Sequence, residues 1–262
     1  MDSEQKSREH LVLEAAAEAG KILLQNGAEL FRVEETMARI CEYYSVEPVN
    51  YYVLSNGIFI SSDAEAKSYA KVQHIPVKGA RLDKVIAVNQ FSREVTEGRY
   101  TPEQLLPRLS EIRDLPHKRP IAQYFASGLA AACFCVLFGG NFADGATAFA
   151  AGFLLHIFML NIASPHLSRI IGTTCGGMLL TLVCVLSHTL GLCTNLSFVI
   201  IGSTIPLVPG VAFTNGIRDI GDGNYLSGAV RLLDALLRFF CIAIGVGLII
   251  SLYRHLGGGA AL

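Results

Sequence analysis

The sequence lacks most of the motifs by which soluble enzymes are recognised. It contains no P-loop, no dinucleotide-binding GxGxxG segment, no HExxH zinc helix and no nucleophile elbow. No basic cluster with interleaved aromatic residues is present either, and the net charge of −1 gives no reason to expect a nucleic-acid partner. We therefore predict no cofactor and no bound metal, and we do not expect an enzyme.

No CxxC pair occurs among the seven cysteines, so a disulfide framework or a cysteine-ligated metal site is not expected. Cysteine behaves as a small apolar residue that packs well inside proteins, and we expect that role here. The N-terminal residues MDSEQKSREH are polar and mixed in charge, so they predict no cleavable signal sequence. Apart from Cys41, the cysteines lie in or beside apolar runs: Cys133, Cys135, Cys175, Cys184, Cys193 and Cys241.

Charged residues are scarce in the second half of the chain. Overall 52% of the residues are hydrophobic and 16% are charged, but the charges crowd into the first 120 positions. This asymmetry predicts an α-helical polytopic membrane protein (five transmembrane helices) preceded by a small cytoplasmic α+β domain. The expected division is 1–117 for the soluble domain, 118–256 for the transmembrane bundle and 257–262 for a short tail. Each predicted span is near the ~20 residues that cross ~30 Å of hydrocarbon: 121–139, 143–161, 169–187, 194–212 and 230–253.

The distribution of lysine and arginine predicts the orientation of the spans. Segments 139–144 and 188–195 contain neither residue, whereas short cytoplasmic loops are enriched in both. The N-terminus is therefore expected in the cytoplasm and the C-terminus on the periplasmic or extracellular side. Only Arg254 opposes this pattern, and the residues that support it are Lys118, Arg119, Arg169, Arg218 and Arg231.

The first half shows alternating helix and strand patterns. Residues 10–27 and 28–44 predict two amphipathic helices, and Ser55-Asn56-Gly57 between β-rich runs predicts a hairpin. SYAKVQHIPV is read as a third strand, and RLDKVIAVNQFSREVTEG and TPEQLLPRLSEIRDL as two further helices. Thr101 and Gln104 form a predicted capping box at the start of the last helix, and Pro107 predicts a kink or an early break in it.

Polar side chains inside the predicted spans are candidates for function, because a charge at mid-bilayer costs about 2.5–3.5 kcal/mol on insertion scales. His156 lies near the centre of the second span, either bonded to another helix or lining a pathway. Asp144 opens the same span and is interpreted first as a helix cap and second as a residue of the outer mouth. Arg231, Asp234 and Arg238 share one stripe of the fifth span and can pair with one another, either on a solvated face or along a pathway.

Residues 205–228 combine two prolines with a run of polar residues. Pro206 and Pro209 each remove a backbone donor, and Gly210 adds backbone freedom, so the end of the fourth span is expected to be kinked or unwound. Broken helices at membrane depth survive where protein or a wet cavity satisfies the backbone, and transporters use them to contact substrates. An ordinary cytoplasmic loop is the alternative. The polar groups that follow are Thr214, Asn215, Arg218 and Asp219.

A second cluster follows the end of the first predicted helix. Glu29 and Arg32 are i, i+3 neighbours, and such pairs usually decorate a solvated helix face. Paired carboxylates beside an arginine could also serve acid–base chemistry, or the cluster could act in packing or ligand gating at the membrane face. Its members are Asn26, Gly27, Glu29, Arg32, Glu34 and Glu35.

These two clusters together resemble the threonine/serine exporter (ThrE) family. The pattern of that family is NGAE-x-x-RVEE in a soluble head, then PG-x-x-x-TN-x-x-RD and G-x-x-x-SG near the last span. All three elements stand here in that order: Asn26, Gly27, Ala28, Glu29, Arg32, Val33, Glu34 and Glu35; Pro209, Gly210, Thr214, Asn215, Arg218 and Asp219; Gly223, Ser227 and Gly228. Fused members are about twice as long, so the chain looks like the larger, YjjP-type subunit of a split exporter.

The resemblance implies a secondary transporter of the bacterial inner membrane that works with a small YjjB-type membrane subunit. Its cargo would be threonine or serine, or succinate or another C4-dicarboxylate. Under this reading Asp219 and Asp234 are the candidates for coupling. Asn215 and Arg218 are the candidates for binding the substrate carboxylate or for holding the broken helix. A succinate dianion should need more positive charge than a zwitterion does, so three arginines near the cytoplasmic entrance slightly favour succinate: Arg218, Arg231 and Arg238. A membrane-anchored hydrolase with its active site in the N-terminal domain, or a sensor subunit of another transporter, are the alternatives.

Overall fold

A computed structural model describes residues 2–46, 49–64, 67–76, 79–116 and 119–257. These form two compact units. The head unit comprises Met1–Pro116 with Val211–Leu233, and the bundle unit comprises His117–Gly210 with Asp234–Leu262. This grouping does not test the predicted division at residues 117 and 118, which stays a prediction. Lys118 and residues 258–262 of the predicted tail lie outside the described residues.

The head unit contains the predicted mixture of helices and strands. Its helices are α1 (Asp2–Gln25), α2 (Leu30–Tyr43), α3 (Leu82–Thr96) and α4 (Pro102–Arg113), and its strands are β1 (Val49–Leu54), β2 (Gly57–Ala64) and β3 (Lys67–His74). The apolar stripe of α2 is buried against the same core as α1, α3, α4 and the sheet. The α+β prediction for this part of the chain is confirmed.

The three strands form an antiparallel meander in the order β1-β2-β3. Leu54 pairs with Gly57 across the first turn, which confirms the hairpin predicted from Ser55-Asn56-Gly57. Val53, Ile58 and Ile60 are buried on the core face of the sheet, as expected when alternate side chains of a strand point to opposite faces.

Helix α4 confirms one prediction about its sequence and corrects another. The capping box between Thr101 and Gln104 is present. The early break expected at Pro107 is wrong, because the helix continues to Arg113 with the proline inside it. Leu105, Leu109 and Ile112 of this helix are buried, so packing of its apolar face outweighs the one backbone hydrogen bond that a proline removes.

The bundle unit contains most of the apolar helices. They are α5 (Pro120–Leu137), α6 (Phe142–Phe158), a π-helix (Met159–Ala163), α7 (Ser164–His166), α8 (Arg169–Thr189), α9 (Leu196–Thr204) and a 3-10 turn (Ile205–Leu207). Two more helices follow, α10 (Gly210–Gly221) and α11 (Tyr225–His255). Within the described residues, four helices are long and apolar enough to cross a membrane, or five if a bent pair counts as one span.

The bent pair overlaps the predicted fourth span, 194–212, and extends past it to Gly221. Leu196–Leu207 and Gly210–Gly221 meet at 65° across a short break that contains Pro209. Pro206 lies in the 3-10 turn before the break. The polar residues expected to follow a helix break in irregular backbone therefore lie instead on a second helix, α10. Of these residues, 211–221 belong to the head unit.

Asp144 is a cap, as predicted, and it also joins two parts of the bundle unit. Its carboxylate completes a capping box with Asn141 at the start of α6. The same carboxylate accepts hydrogen bonds from the backbone N–H of Thr194 at 2.7 Å and of Asn195 at 3.1 Å. Asp144 is fully buried, so these donors replace the water that an ionised carboxylate would otherwise require.

Candidate functional site

The turn between α1 and α2 supplies the first part of the site. Helix α1 ends in a Schellman motif, in which the Gly27 N–H donates to Leu24 O at 3.3 Å and the Ala28 N–H to Leu23 O at 3.1 Å. Gly27 has φ +82°, a left-handed conformation that strains any residue with a Cβ. The carbonyls of Gly27 and Ala28 are left to accept hydrogen bonds from elsewhere in the chain.

Helix α10 ends in the same kind of turn. The Gly223 N–H donates to Ile220 O at 3.0 Å and the Asn224 N–H to Asp219 O at 2.8 Å, with Gly223 at φ +85°. The turn reverses the chain into α11. Gly228 of α11 lies against α10, where a Cβ on it would be 2.8 Å from Gly216 O, so the two helices approach at backbone distance.

Asp219 connects α10 to the start of α2. Its Oδ1 accepts from the Leu30 N–H at 3.4 Å, and its Oδ2 lies 3.1 Å from Nη1 of Arg231. Only 1% of the Asp219 side chain and 12% of the Arg231 side chain are exposed. Glu29 occupies the N-cap position of α2 but makes no side-chain cap bond. Asp219 therefore caps a helix 189 positions away in sequence, where the helix dipole favours an anion.

Three further bonds surround this buried pair. The second Arg231 terminal nitrogen, Nη2, donates to Ala28 O at 3.1 Å. Asn215 Nδ2 donates to Gly27 O at 2.8 Å, and Arg218 Nη1 bonds to the Glu29 carboxylate. Thus the NGAE segment and the TN-x-x-RD segment contact each other directly within the head unit.

The hairpin and the remaining carboxylates of the head motif extend the site. The Ser55 N–H donates to Oγ of Ser227 on α11 at 3.0 Å, and both residues are buried. The Glu34 carboxylate accepts from the Val53 N–H of β1. Glu35 pairs with Arg32 and Arg39 along the outer face of α2: Arg32 at 3.2 Å and Arg39 at 2.6 Å.

The structure corrects two expected pairings. Glu29 was expected beside Arg32, but it pairs with Arg218, because it occupies the N-cap position just before α2 rather than lying in the helix. Arg231, Asp234 and Arg238 were expected to pair along one stripe. Only Asp234 and Arg238 do so, at 2.7 Å, since Arg231 is bound by Asp219.

The remaining predicted residues lie elsewhere. Asp234 and Arg238 belong to the bundle unit, as does His156 of α6. The ring of His156 packs edge-on against Tyr124 at 6.1 Å between centroids, so it meets another helix through ring contact rather than through a hydrogen bond. Sequence reasoning missed Ser55 and the Ala28 carbonyl as members of the site. For Ser55, its position in the predicted hairpin turn was the only indication in the sequence; for the Ala28 carbonyl there was none.

Glu34 gives the site a pH dependence that can be measured. Burial raises the pKa of its carboxyl above the ordinary value, and the bond from the Val53 N–H lowers it by less. Between the unfolded and folded pKa values the folded chain binds more protons, so the free energy of unfolding falls as the pH rises through that window. We expect Glu34→Gln to remove this fall, as measured by denaturant unfolding of the full chain at several pH values. Glu35→Gln, on the same helix, is the control that leaves the fall in place, and an unchanged profile in Glu34→Gln would contradict the assignment.

The site consists mainly of paired charges around the N-terminal end of α2. The carboxylates of Glu29 and Asp219 each face a guanidinium, and within the described residues no group of three or more His, Cys, Asp or Glu side chains could hold a metal ion. Arg218 is open to solvent, with 59% of its side chain exposed. Such an arrangement can bind an anion or exchange one carboxylate for another.

The comparison with family models agrees with the two contacting motifs. The model described as "Putative threonine/serine exporter" (ThrE) matches residues 14–253. The chain belongs to the ThrE family. No curated protein and no solved structure matches it. Membership in an exporter family, together with several apolar helices, makes the chain a multi-pass membrane protein of a transport family.

Proposed function

We propose that the chain is the larger, YjjP-type subunit of a secondary exporter in the bacterial inner membrane, working with a small YjjB-type membrane subunit. Its cargo is threonine or serine. The absence of any ATP-binding motif in the sequence supports a process that runs on an ion gradient or the membrane potential. The N-terminus is cytoplasmic and the C-terminus periplasmic, in keeping with the distribution of Lys and Arg.

One observation carries the choice of cargo. The three arginines that would favour a dicarboxylate are each bonded to a carboxylate of the chain itself: Arg218 to Glu29, Arg231 to Asp219 and Arg238 to Asp234. A succinate dianion needs positive charge that is not already balanced. A zwitterionic amino acid carries no net charge, so it suits a region whose fixed charges cancel. Succinate and other C4-dicarboxylates are the competing cargo.

The polar residues have distinct roles in this proposal. Arg218 is the accessible cation that can exchange Glu29 for a substrate carboxylate, and Asn215 holds the Gly27 carbonyl beside it. Asp234 is the candidate coupling group, because 46% of its side chain is exposed, whereas Asp219 is buried and holds the site together. The break, marked by Pro206, Pro209 and Gly210, separates α9 from α10, the helix that carries Asn215, Arg218 and Asp219.

A flux assay tests the proposal. The chain and the small partner are rebuilt in vesicles, with and without a pH gradient, and labelled threonine, serine and succinate are followed. Threonine or serine flux that falls in Arg218→Ala while the protein stays folded is the expected result. Succinate flux without amino-acid flux would show that the cargo is succinate rather than threonine or serine. No flux of any of the three, together with hydrolysis by the full chain, would overturn the exporter reading.

A further inference from the structure

Three polar side chains meet inside the bundle unit, away from the site described above. Tyr124 lies on α5, His156 on α6 and Asn161 on the π-helix. Asn161 Nδ2 donates to the Tyr124 hydroxyl at 2.9 Å, and the rings of Tyr124 and His156 meet edge to face with centroids 6.1 Å apart. His156 and Asn161 belong to the candidate span Phe142–His166. At ~1.5 Å per residue, Tyr124 is about 6 Å along the helix from the first residue of the span Pro120–Leu137, and Asn161 is about 7.5 Å from the last residue of its own span. The cluster therefore lies near one end of these two spans.

Each member keeps hydrogen-bonding capacity that the chain does not use. Nε2 of His156 is buried and has no partner among the described residues. Asn161 Nδ2 donates to the Tyr124 hydroxyl and to the Ile157 carbonyl, the latter at 3.0 Å. Its Oδ1 remains available as an acceptor. The Tyr124 hydroxyl accepts from Asn161, and its own hydrogen goes to no side chain or carbonyl that the structure describes. Buried polar atoms are normally paired, and His156 Nε2 is not, whereas Asn161 is exposed. The set is therefore open to a polar ligand.

The π-helix places Asn161 in this cluster. A π-helical turn contains about one residue more than an α-helical turn, so it rotates the side chains that follow it, and such turns occur frequently at functional sites. Here the turn Met159–Ala163 interrupts an otherwise apolar span. It carries Asn161, whose amide bonds back to Ile157 on its own helix.

We propose that Tyr124, His156 and Asn161 bind the side-chain hydroxyl of a hydroxylated amino acid during export. A hydroxyl has one hydrogen to donate and two lone pairs to accept, which matches an imidazole nitrogen, an amide oxygen and a phenol. The set contains no carboxylate or guanidinium, so it does not provide for the ionic groups of the cargo. Phe153, whose ring centroid is 5.9 Å from that of Tyr124, supplies an apolar wall suited to the methyl group of threonine. The inference rests on the proposed function and adds the feature by which the cargo is recognised.

Competition binding tests the inference. Labelled L-threonine is bound to the full chain, purified with its small membrane partner in lipid nanodiscs, and displaced by L-threonine, L-serine, L-2-aminobutyrate or succinate. L-2-aminobutyrate is threonine without its hydroxyl. We expect threonine to bind about tenfold more tightly than L-2-aminobutyrate, the worth of one hydrogen bond. In Tyr124→Phe and Asn161→Ala this ratio should approach one, while the affinity for L-2-aminobutyrate stays as in the unchanged chain. Tyr253→Phe, on α11, is the matched control that keeps the ratio.

The outcomes separate this inference from the proposed function. Equal binding of threonine and L-2-aminobutyrate by the unchanged chain would overturn the hydroxyl site and leave amino-acid export standing. An equal loss for both ligands in the two variants would mean that these side chains only support the fold. If the two variants lost the small membrane partner on purification while the threonine to L-2-aminobutyrate ratio stayed unchanged, the hydroxyl site would be overturned and the cluster would belong to the subunit contact. Binding of succinate but of no amino acid would contradict the proposed function, in which the cargo is threonine or serine.

Discussion

Replacing Asp219 by alanine is expected to lower the free energy of unfolding by about 3–5 kcal/mol, the usual effect of removing one partner of a buried ion pair. The change leaves the guanidinium of Arg231 with only 12% of its side chain exposed and without its carboxylate. It also removes the acceptor of the Leu30 N–H at the start of α2. Thermal or denaturant unfolding of the full chain in detergent measures the effect.

The chain offers a matched control three residues further on. Asp222 is exposed, and its replacement by alanine should change the free energy of unfolding by no more than about 0.5 kcal/mol. Asp219→Asn keeps an oxygen for the Leu30 N–H but loses the charge, so it should fall between the two. Equal stability of Asp219→Ala and Asp222→Ala would mean that the Asp219 contacts do not hold the head unit together.

A methyl group on Gly228 should be the next most damaging change. The added Cβ would lie 2.6 Å from Cγ1 of Ile220, 2.8 Å from Gly216 O and 2.9 Å from the Ile220 nitrogen. Two of these atoms are backbone and cannot move without displacing α10. Gly228→Ala should therefore destabilise the chain by about 1–3 kcal/mol, the common cost of overpacking, measured by the same unfolding experiment.

Gly221→Ala serves as the control for this substitution. Gly221 is the last residue of α10, and a Cβ there has nothing within 4 Å. Because alanine also has the higher helix propensity, this variant should be neutral or slightly more stable. If Gly228→Ala were as stable as Gly221→Ala, α10 and α11 would not approach each other closely in solution.

Local chemistry made much of the head unit predictable. The hairpin at Ser55-Asn56-Gly57 and the capping box at Thr101 depend on residues a few positions apart, and both are present. The effect of Pro107 was misjudged, because the buried apolar face of α4 decides whether the helix continues. Tertiary packing of this kind leaves little trace in a single sequence.

The candidate site was only partly predictable, for a related reason. Its key contact joins Asp219 to Leu30 across 189 positions, and no local pattern encodes such a pairing. The sequence indicated the break at Pro206 and Pro209, but the segment after it is a helix rather than irregular backbone. The buried residues of α10, Gly216 and Asp219, lie three positions apart on one face. Because a glycine and a carboxylate are not apolar side chains, this face gave no apolar periodicity from which a helix could be predicted.

The central claim is that the NGAE segment and the TN-x-x-RD segment act as one site in transport. Exchanging the charges of one contact tests it most directly, by measuring threonine and serine efflux for Glu29→Arg, Arg218→Glu and the double variant. Each single change places like charges together, and we expect efflux to fall about tenfold, which corresponds to ~1.4 kcal/mol. The double variant restores the opposite charges and should recover most of the efflux. Full efflux in both single variants, at normal expression, would contradict the claim.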